Sequence, residues 1–265
     1  MVITDRDLVI RAALAGAAVV RDKYGEPLAR FEKSGGDFAT AADIEAEQAI
    51  LDVLRAARPD DVVLGEESGR TGSGGNGREW LVDPLCGTLN YAVRTMLVSV
   101  NVALRAGVDV TVAASADPFA GEVFWTDGEH AYARQDGLDR RLTPQAGNRL
   151  VDVNLDPPFP HAPAFRAALL LADPGFAELF RPRVVSTTLA VAWVAAGRRA
   201  AYLTDTDLRD NVHFAAGIAL CQAAGCVVTD LQGRPLHPGS VGLVAAADRE
   251  THAALLTLIA KQLPA

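Results

Sequence analysis

Three short segments of the 265-residue chain concentrate oxygen-bearing side chains: Asp37-Phe38-Ala39-Thr40-Ala41-Ala42-Asp43, Gly65-Glu66-Glu67-Ser68, and Trp80-Leu81-Val82-Asp83-Pro84-Leu85-Cys86-Gly87-Thr88-Leu89-Asn90-Tyr91. Hard divalent ions such as magnesium take oxygen ligands, typically one or two carboxylates completed by water and substrate phosphate. A glycine-threonine turn at a helix start offers backbone amides and a hydroxyl to phosphate oxygens. Carboxylates at Glu66 and Asp83 beside Gly87 and Thr88 therefore point to metal-assisted chemistry on a phosphate. Cys86 is the odd member of the third segment, because a thiol is a poor ligand for magnesium and a good one for zinc.

The elements that must position these residues follow from periodicity. Leu8, Ala12, Ala15 and Val19 predict a helix over 5–22, closed by Gly25 and Pro27. A second helix is expected from Thr40 to Arg55, with Ile44, Ile50, Leu51 and Leu54 on its apolar face. Residues 61–64 and 80–82 read as buried strands, and 70–77, with four glycines among its residues, as a mobile loop. Strands follow near 97–102, 108–114, 122–125 and 130–133. The second half alternates strands at 151–154, 200–203 and 226–229 with helices at 164–172, 187–196, 215–224 and 249–263. Alternation throughout the length indicates a layered α/β protein. A single domain over 1–265 is expected, with subdomains of roughly 1–150 and 151–265 meeting near the proline-rich piece 156–163.

Composition narrows the function. A formal net charge of -8 argues against a general nucleic-acid surface, and no apolar run reaches the length of a membrane span. The N-terminal region lacks the order of a signal peptide. Three cysteines (Cys86, Cys221, Cys226) without framework spacing do not suggest a disulfide scaffold, and Cys221 and Cys226 read as packing residues. The expectation is a cytoplasmic protein with a small-molecule substrate and neither nucleic acid nor membrane as partner.

The three segments resemble the inositol monophosphatase family, a branch of the lithium-sensitive, magnesium-dependent sugar-phosphate phosphatases. Its signature Trp-x-x-Asp-Pro-[Ile/Leu]-Asp-Gly-Thr-x-Asn-[Phe/Tyr] is preceded by Gly-Glu-Glu and by Asp-x-x-Thr-x-x-Asp. Asp117-Pro118-Phe119-Ala120-Gly121-Glu122, the stretch 186–197, and Asn211-Val212-His213-Phe214-Ala215-Ala216-Gly217 continue the resemblance in order. It implies the αβαβα five-layer sandwich of the inositol monophosphatase/fructose-bisphosphatase type, and a homodimer. It further implies that Glu66, Asp83 and the Leu85 carbonyl hold one magnesium ion, while Asp43 and Thr88 activate the attacking water and Gly87 with Thr88 bind phosphate. The chain departs from the pattern where the second metal belongs: Cys86 and His213 stand in place of two aspartates, Val212 in place of a tryptophan, and Ala223 in place of a glutamate.

Three chemistries fit that departure. Zinc could be held by Asp83, Cys86 and His213. His213 could act as a general acid toward the leaving oxygen, with no second metal. Cys86 could be a thiolate nucleophile paired with His213 in a reaction other than phosphate hydrolysis. The leading expectation is an enzyme acting on a small phosphorylated polyol, sugar, cyclitol or nucleoside. The alternatives are a repurposed enzyme (cyclisation, elimination or acyl transfer) and a catalytically silent binder of a ligand or partner. Asp205, Asp207 and Asp210 read as a solvated acidic loop, with Asp210 the first candidate for a substitute carboxylate. The loops around 70–77 and 202–211 are expected to set specificity.

Overall fold

The structure, a computed structural model, describes residues 3–27, 29–33, 38–74, 76–155, 167–208, 212–237 and 240–262. Asp37, Asp210 and the piece 156–163 lie outside the described residues. The chain divides into two compact units.

The first unit comprises Met1–Arg141, Thr187–Leu189 and Val212–Leu220. Helix α1 (Asp5–Asp22) starts at Thr4, whose hydroxyl accepts from the Asp7 N–H at 3.1 Å, as an N-cap serine or threonine does. A short hairpin, β1 (Arg30–Glu32) and β2 (Phe38–Thr40), leads into α2 (Ala41–Ala57). Then come β3 (Val62–Gly65), β4 (Gly69–Thr71), β5 (Arg78–Cys86), α3 (Thr88–Ala92), β6 (Ser99–Ala106), β7 (Asp109–Asp117), β8 (Glu122–Thr126), β9 (Ala131–Gln135) and β10 (Leu138–Arg141). The strands from β3 onward form one sheet of order β10-β9-β8-β7-β6-β5-β3-β4, in which only the β3–β5 pairing is parallel.

One cluster of buried residues joins the helices to this sheet and includes Leu8 and Val20 of α1, Ile50 and Leu54 of α2, and Trp80, Val82, Val102 and Leu104 of the central strands. Gly16 permits the close approach of the helices, since a Cβ there would sit 2.7 Å from Cδ1 of Ile50. Val212, Ala216 and Ala219 pack with Leu81, Ala103 and Ala113 in a second cluster. The alternation along β5 thus sends Trp80 and Val82 into one cluster and Leu81 into the other.

The second unit comprises Leu142–Ser186, Ala190–Asn211 and Cys221–Ala265. Its elements are β11 (Leu150–Val153), α4 (Ala167–Leu171), α5 (Pro174–Leu179), β12 (Arg181–Val184), α6 (Leu189–Ala195, which starts in the first unit), β13 (Ala201–Asp207), α7 (Ala215–Ala224, likewise), β14 (Val227–Thr229), β15 (Val241–Ala246) and α8 (Arg249–Ala260). The sheet order is β12-β11-β13-β15-β14, with β11 parallel to both neighbours and β15 antiparallel to both of its own. Its core holds Val151, Leu170, Phe176, Leu203, Val244, Leu255 and Ile259.

Several local expectations change. Residues 69–71, read in part as loop, pair with β3 as a strand. The 202–211 loop is largely β13, and Asp205, expected in solvent, is fully buried and accepts from the Ala167 N–H at 3.2 Å. No helix of the described residues is long and apolar enough to cross a membrane.

The turn before β5 is anchored by one carboxylate. Asp61 accepts from the Trp80 indole N–H at 2.8 Å, from the Asn76 amide at 2.6 Å and, through both carboxylate oxygens, from Arg78 Nε at 3.0 and 3.1 Å. Asp61→Ala leaves the fully buried indole N–H of Trp80 without its acceptor. Calorimetry or thermal fluorescence should show a loss of about 2–3 kcal/mol and a melting temperature lower by roughly 5–10 °C.

Candidate active site

Strand β5 ends in a kink that the sequence explains. Pro84 has no N–H to give the ladder, and the pairing with β6 shifts register between Asp83 and Cys86. The break lets Asp83 bend back, so that its Oδ1 accepts from the Leu85 N–H at 3.2 Å. Gly87 follows at φ 103°, a left-handed conformation that favours glycine, and α3 starts at Thr88. The first-turn N–H groups of α3 have no partners within the helix and form a ready anion-facing turn.

Asp43 reaches the same place from α2. Its Oδ2 accepts from the Thr40 N–H at 2.8 Å and the Thr40 hydroxyl at 2.6 Å, while the Thr40 hydroxyl itself accepts from the Ala42 N–H, a reciprocal cap. Its Oδ1 remains for Thr88, whose hydroxyl donates to it at 2.8 Å and lies 3.2 Å from the Leu85 carbonyl oxygen. Burial raises the Asp43 pKa, against the opposing bonds from Thr40 and Thr88.

Asp83 is the buried centre of the site, with no exposed surface. Its Oδ2 lies 2.8 Å from Nδ1 of His213 and accepts from the Asn101 amide at 3.3 Å. Burial opposes both charges, but their mutual attraction prevails: Asp83 is held below the usual carboxylate range and His213 well above 6.5. Both directions favour the charged forms, carboxylate and imidazolium. Nδ1 of His213 is also 3.9 Å from Oε2 of Glu66. That oxygen is buried and receives no donor from a described residue. Burial first, and the charge of Asp83 second, push the Glu66 carboxyl up to about 8. Its other oxygen accepts from Lys33 at 2.9 Å, and Lys33 also meets Glu67 at 2.7 Å. Burial opposes the Lys33 charge, yet Glu66 and Glu67 raise its pKa.

The structure thus brings Glu66, Asp83, Leu85, Cys86, Gly87, Thr88, Asp43 and His213 into the first unit, on the ends of β3, β5 and α2 and on the segment before α7. Glu67 is tied to Lys33. Sequence reasoning did not single out Lys33, Asn101 or Thr188. The Thr188 N–H donates to Cys86 Sγ at 3.4 Å, and its hydroxyl accepts from Asn101 at 2.9 Å, so these two residues wall the Cys86 side.

With the Glu66 carboxyl pushed up to about 8, Glu67 and Asp83 are the carboxylates that face Lys33 and His213 near neutral pH. A metal ion at the Glu66 oxygen that receives no donor from a described residue would displace the Glu66 proton. Glu66 and Asp83 are carboxylates of the kind that a hard ion such as magnesium takes as ligands. Asp83, Cys86 and His213 form a group of three side chains whose ligand atoms all lie within 4.8 Å of one another.

Clustered carboxylates, a hydroxyl–carboxylate pair and an anion-facing turn at the ends of sheet strands fit the class of metal-assisted phosphatase folds. A model of the inositol monophosphatase family matches residues 5–263, and the chain belongs to that family. It is 30% identical over 239 residues to an inositol-1-monophosphatase of Caulobacter vibrioides, covering 84% of this chain and 88% of that one. It is 31% identical over 234 residues to the Nus factor SuhB of Escherichia coli K12, covering 86% and 85%. Among solved structures, the extragenic suppressor protein suhB of Bartonella henselae superposes with a TM-score of 0.83 at 25% identity, covering 95% of this chain and 96% of that one. An inositol monophosphatase from Anabaena gives 0.79 at 25% identity, covering 98% and 96%. The layered α/β fold expected from the sequence is the fold these proteins share.

Cys86 does not have the environment of a nucleophile. Burial, then the neighbouring Asp83 charge, push its thiol up to about 11, against a smaller opposing effect of His213 and Thr188. Near neutral pH the metal-free protein should therefore alkylate at Cys86 far more slowly than a free thiol. The rate should rise about tenfold per pH unit across the range 7.5–9.5, because only the thiolate reacts. Iodoacetamide labelling followed by peptide mapping checks this; fast labelling at pH 7 would restore the nucleophile reading.

Proposed function

We propose that the protein is a phosphomonoesterase of small phosphorylated polyols, sugars, cyclitols or nucleosides, in which His213 replaces the second cation of the site. The observation that carries this reading is the 2.8 Å contact of His213 with Asp83, beside the donorless Glu66 oxygen. Magnesium held by Glu66, Asp83 and the Leu85 carbonyl would neutralise phosphate charge and lower the pKa of a bound water. The remaining work falls to this chain's own groups. Thr88, oriented by Asp43, accepts a proton from the attacking water as its own hydroxyl hydrogen passes toward the carboxylate. The amides at Gly87 and Thr88 cradle the phosphate oxygens. The imidazolium of His213 places a fixed positive charge, with a transferable proton, where negative charge grows on the leaving oxygen.

One further reading has an observation of its own. The clustering of Asp83, Cys86 and His213 suits zinc, which would deprotonate the Cys86 thiol on binding. Cobalt substitution separates the two readings, since a thiolate ligand gives an intense charge-transfer band and an oxygen-only site does not.

The first test is phosphate release from a panel of sugar, inositol and nucleoside phosphates with magnesium, manganese and zinc in turn. Turnover with magnesium, reduced about 100-fold in kcat by His213→Gln, is the expected result. No release with any metal would overturn the reading and leave a repurposed enzyme or a silent binder. The paired change Cys86→Asp with His213→Asp should keep turnover and make it depend on a second magnesium ion.

The ion pair also has a stability signature. The folded pKa of His213 lies above its ordinary 6.5, so the stabilisation it gives is fully present below pH 6.5 and is lost as pH rises through the folded value. The gap in melting temperature between wild type and His213→Gln should accordingly be largest near pH 6 and close on the alkaline side. A gap that widened with pH would contradict the assignment of charges.

A further inference from the structure

Helix α7 ends in a motif that places two thiols against each other. The Cys226 N–H donates to the Cys221 carbonyl at 2.9 Å, and the Gly225 N–H donates to the Gln222 carbonyl at 3.1 Å. Gly225 has φ +91°. These two bonds around a left-handed glycine form a Schellman cap, in which Cys221 is the third residue from the helix end and Cys226 the second beyond it. The motif brings those two side chains into contact, a place commonly taken by an apolar pair. Here it is taken by two cysteines, and Cys226 pushes the Cys221 thiol pKa up.

The two thiols differ in access. Cys221 is fully buried, with its Sγ donating to the Val191 carbonyl at 3.3 Å, while Cys226 is half-buried. Both are free thiols and neither belongs to the site around Asp83. All of these residues lie within the second unit.

We propose that Cys221 and Cys226 are a reversible dithiol–disulfide site, closed by peroxide-class oxidants and reopened by thiols. The more accessible Cys226 reacts first: its thiolate sulfur displaces hydroxide from hydrogen peroxide, which leaves as water after protonation, and becomes a sulfenic acid. The Cys221 sulfur then attacks the Cys226 sulfur, the S–O bond breaks, and the hydroxyl leaves with the Cys221 proton as a second water. Two thiols lose two hydrogens in all and one peroxide is reduced to two waters. Burial of Cys221 in the cap gives Cys226 a built-in resolving partner, which shields it from further oxidation. The bond from the Cys226 N–H to the Cys221 carbonyl already holds the ends of the short loop together in the reduced protein. The effect of closure is to staple the end of α7, the helix whose opposite end follows His213.

The sequence makes the test direct. No lysine or arginine lies between Arg209 and Arg234, so trypsin leaves both cysteines in one peptide, separate from Cys86. The full-length protein is treated with hydrogen peroxide, quenched, alkylated after unfolding, and mapped by mass spectrometry. The expected result is a peptide lacking two hydrogens and resistant to alkylation, restored by dithiothreitol, while Cys86 stays alkylatable. In Cys221→Ser the resolving sulfur is gone, and Cys226 should pass to sulfinic and sulfonic acids. Gly225→Ala disfavours the left-handed cap, and equilibration in glutathione buffers should show its disulfide about tenfold less favoured. Both cysteines alkylatable after oxidation, or Cys226 over-oxidised in wild type as readily as in Cys221→Ser, would overturn the proposal.

Discussion

A negative charge with no surface dominates this molecule. Asp83 is fully buried, and a carboxylate can remain ionised there only if positive charge or hydrogen-bond donors stand against it. His213 supplies the charge at 2.8 Å, while Asn101 and the Leu85 N–H supply donors. Much of the first unit serves to hold that arrangement. The proline kink of β5 turns Asp83 inward, and the cluster of Leu81 with Val212 and Ala216 seats the segment that carries His213 on the same strand. Around the pair, Lys33 joins Glu66 to Glu67, and Asp43 joins the start of α2 to Thr88.

The family to which the chain belongs gives the departures at Cys86 and His213 their meaning. Two carboxylates would bind a cation at that position; a thiol and an imidazolium do not need one to be neutral overall. The protonated ring is itself a cation, and the raised thiol pKa keeps Cys86 from adding a second negative charge beside Asp83. The two substitutions are electrostatically consistent as a pair. His213 alone, opposite an aspartate at position 86, would leave a further carboxylate in the buried cluster, and Cys86 alone, opposite an aspartate at 213, would leave Asp83 without its cation. This is why the site reads as one in which fixed charge replaces bound charge, beside an intact Thr88–Asp43 hydrogen bond.

Much of the site was legible in the chain because it is carried by local pattern. Asp83 to Thr88 lies in one run, Asp43 sits at the third position of a capped helix, and the apolar spacing of α1 and α2 marks both helices to within a few residues. Lys33 was not legible, since it stands alone in the sequence and acquires its role only when it meets two glutamates about 33 residues further on. Thr188 was equally hidden, because its contact with Cys86 spans 102 residues. Asp205 was misread for a related reason: a threonine- and aspartate-rich stretch resembles a loop until strand pairing and burial are known. The contact of Cys221 with Cys226 follows from the helix cap and depends on recognising Gly225 as its left-handed residue, a cue that was present in the sequence beside two cysteines that read as packing.

The central claim is that His213 is a permanent cation in the resting site, and its protonation state can be measured directly. Nitrogen-15 NMR of the metal-free protein, with the ring signals assigned by their loss in His213→Gln, follows both ring nitrogens as pH is raised. A ring that stays doubly protonated through neutrality and titrates well above 6.5 is the predicted result. A neutral ring at pH 7, titrating at or below 6.5, would contradict the account.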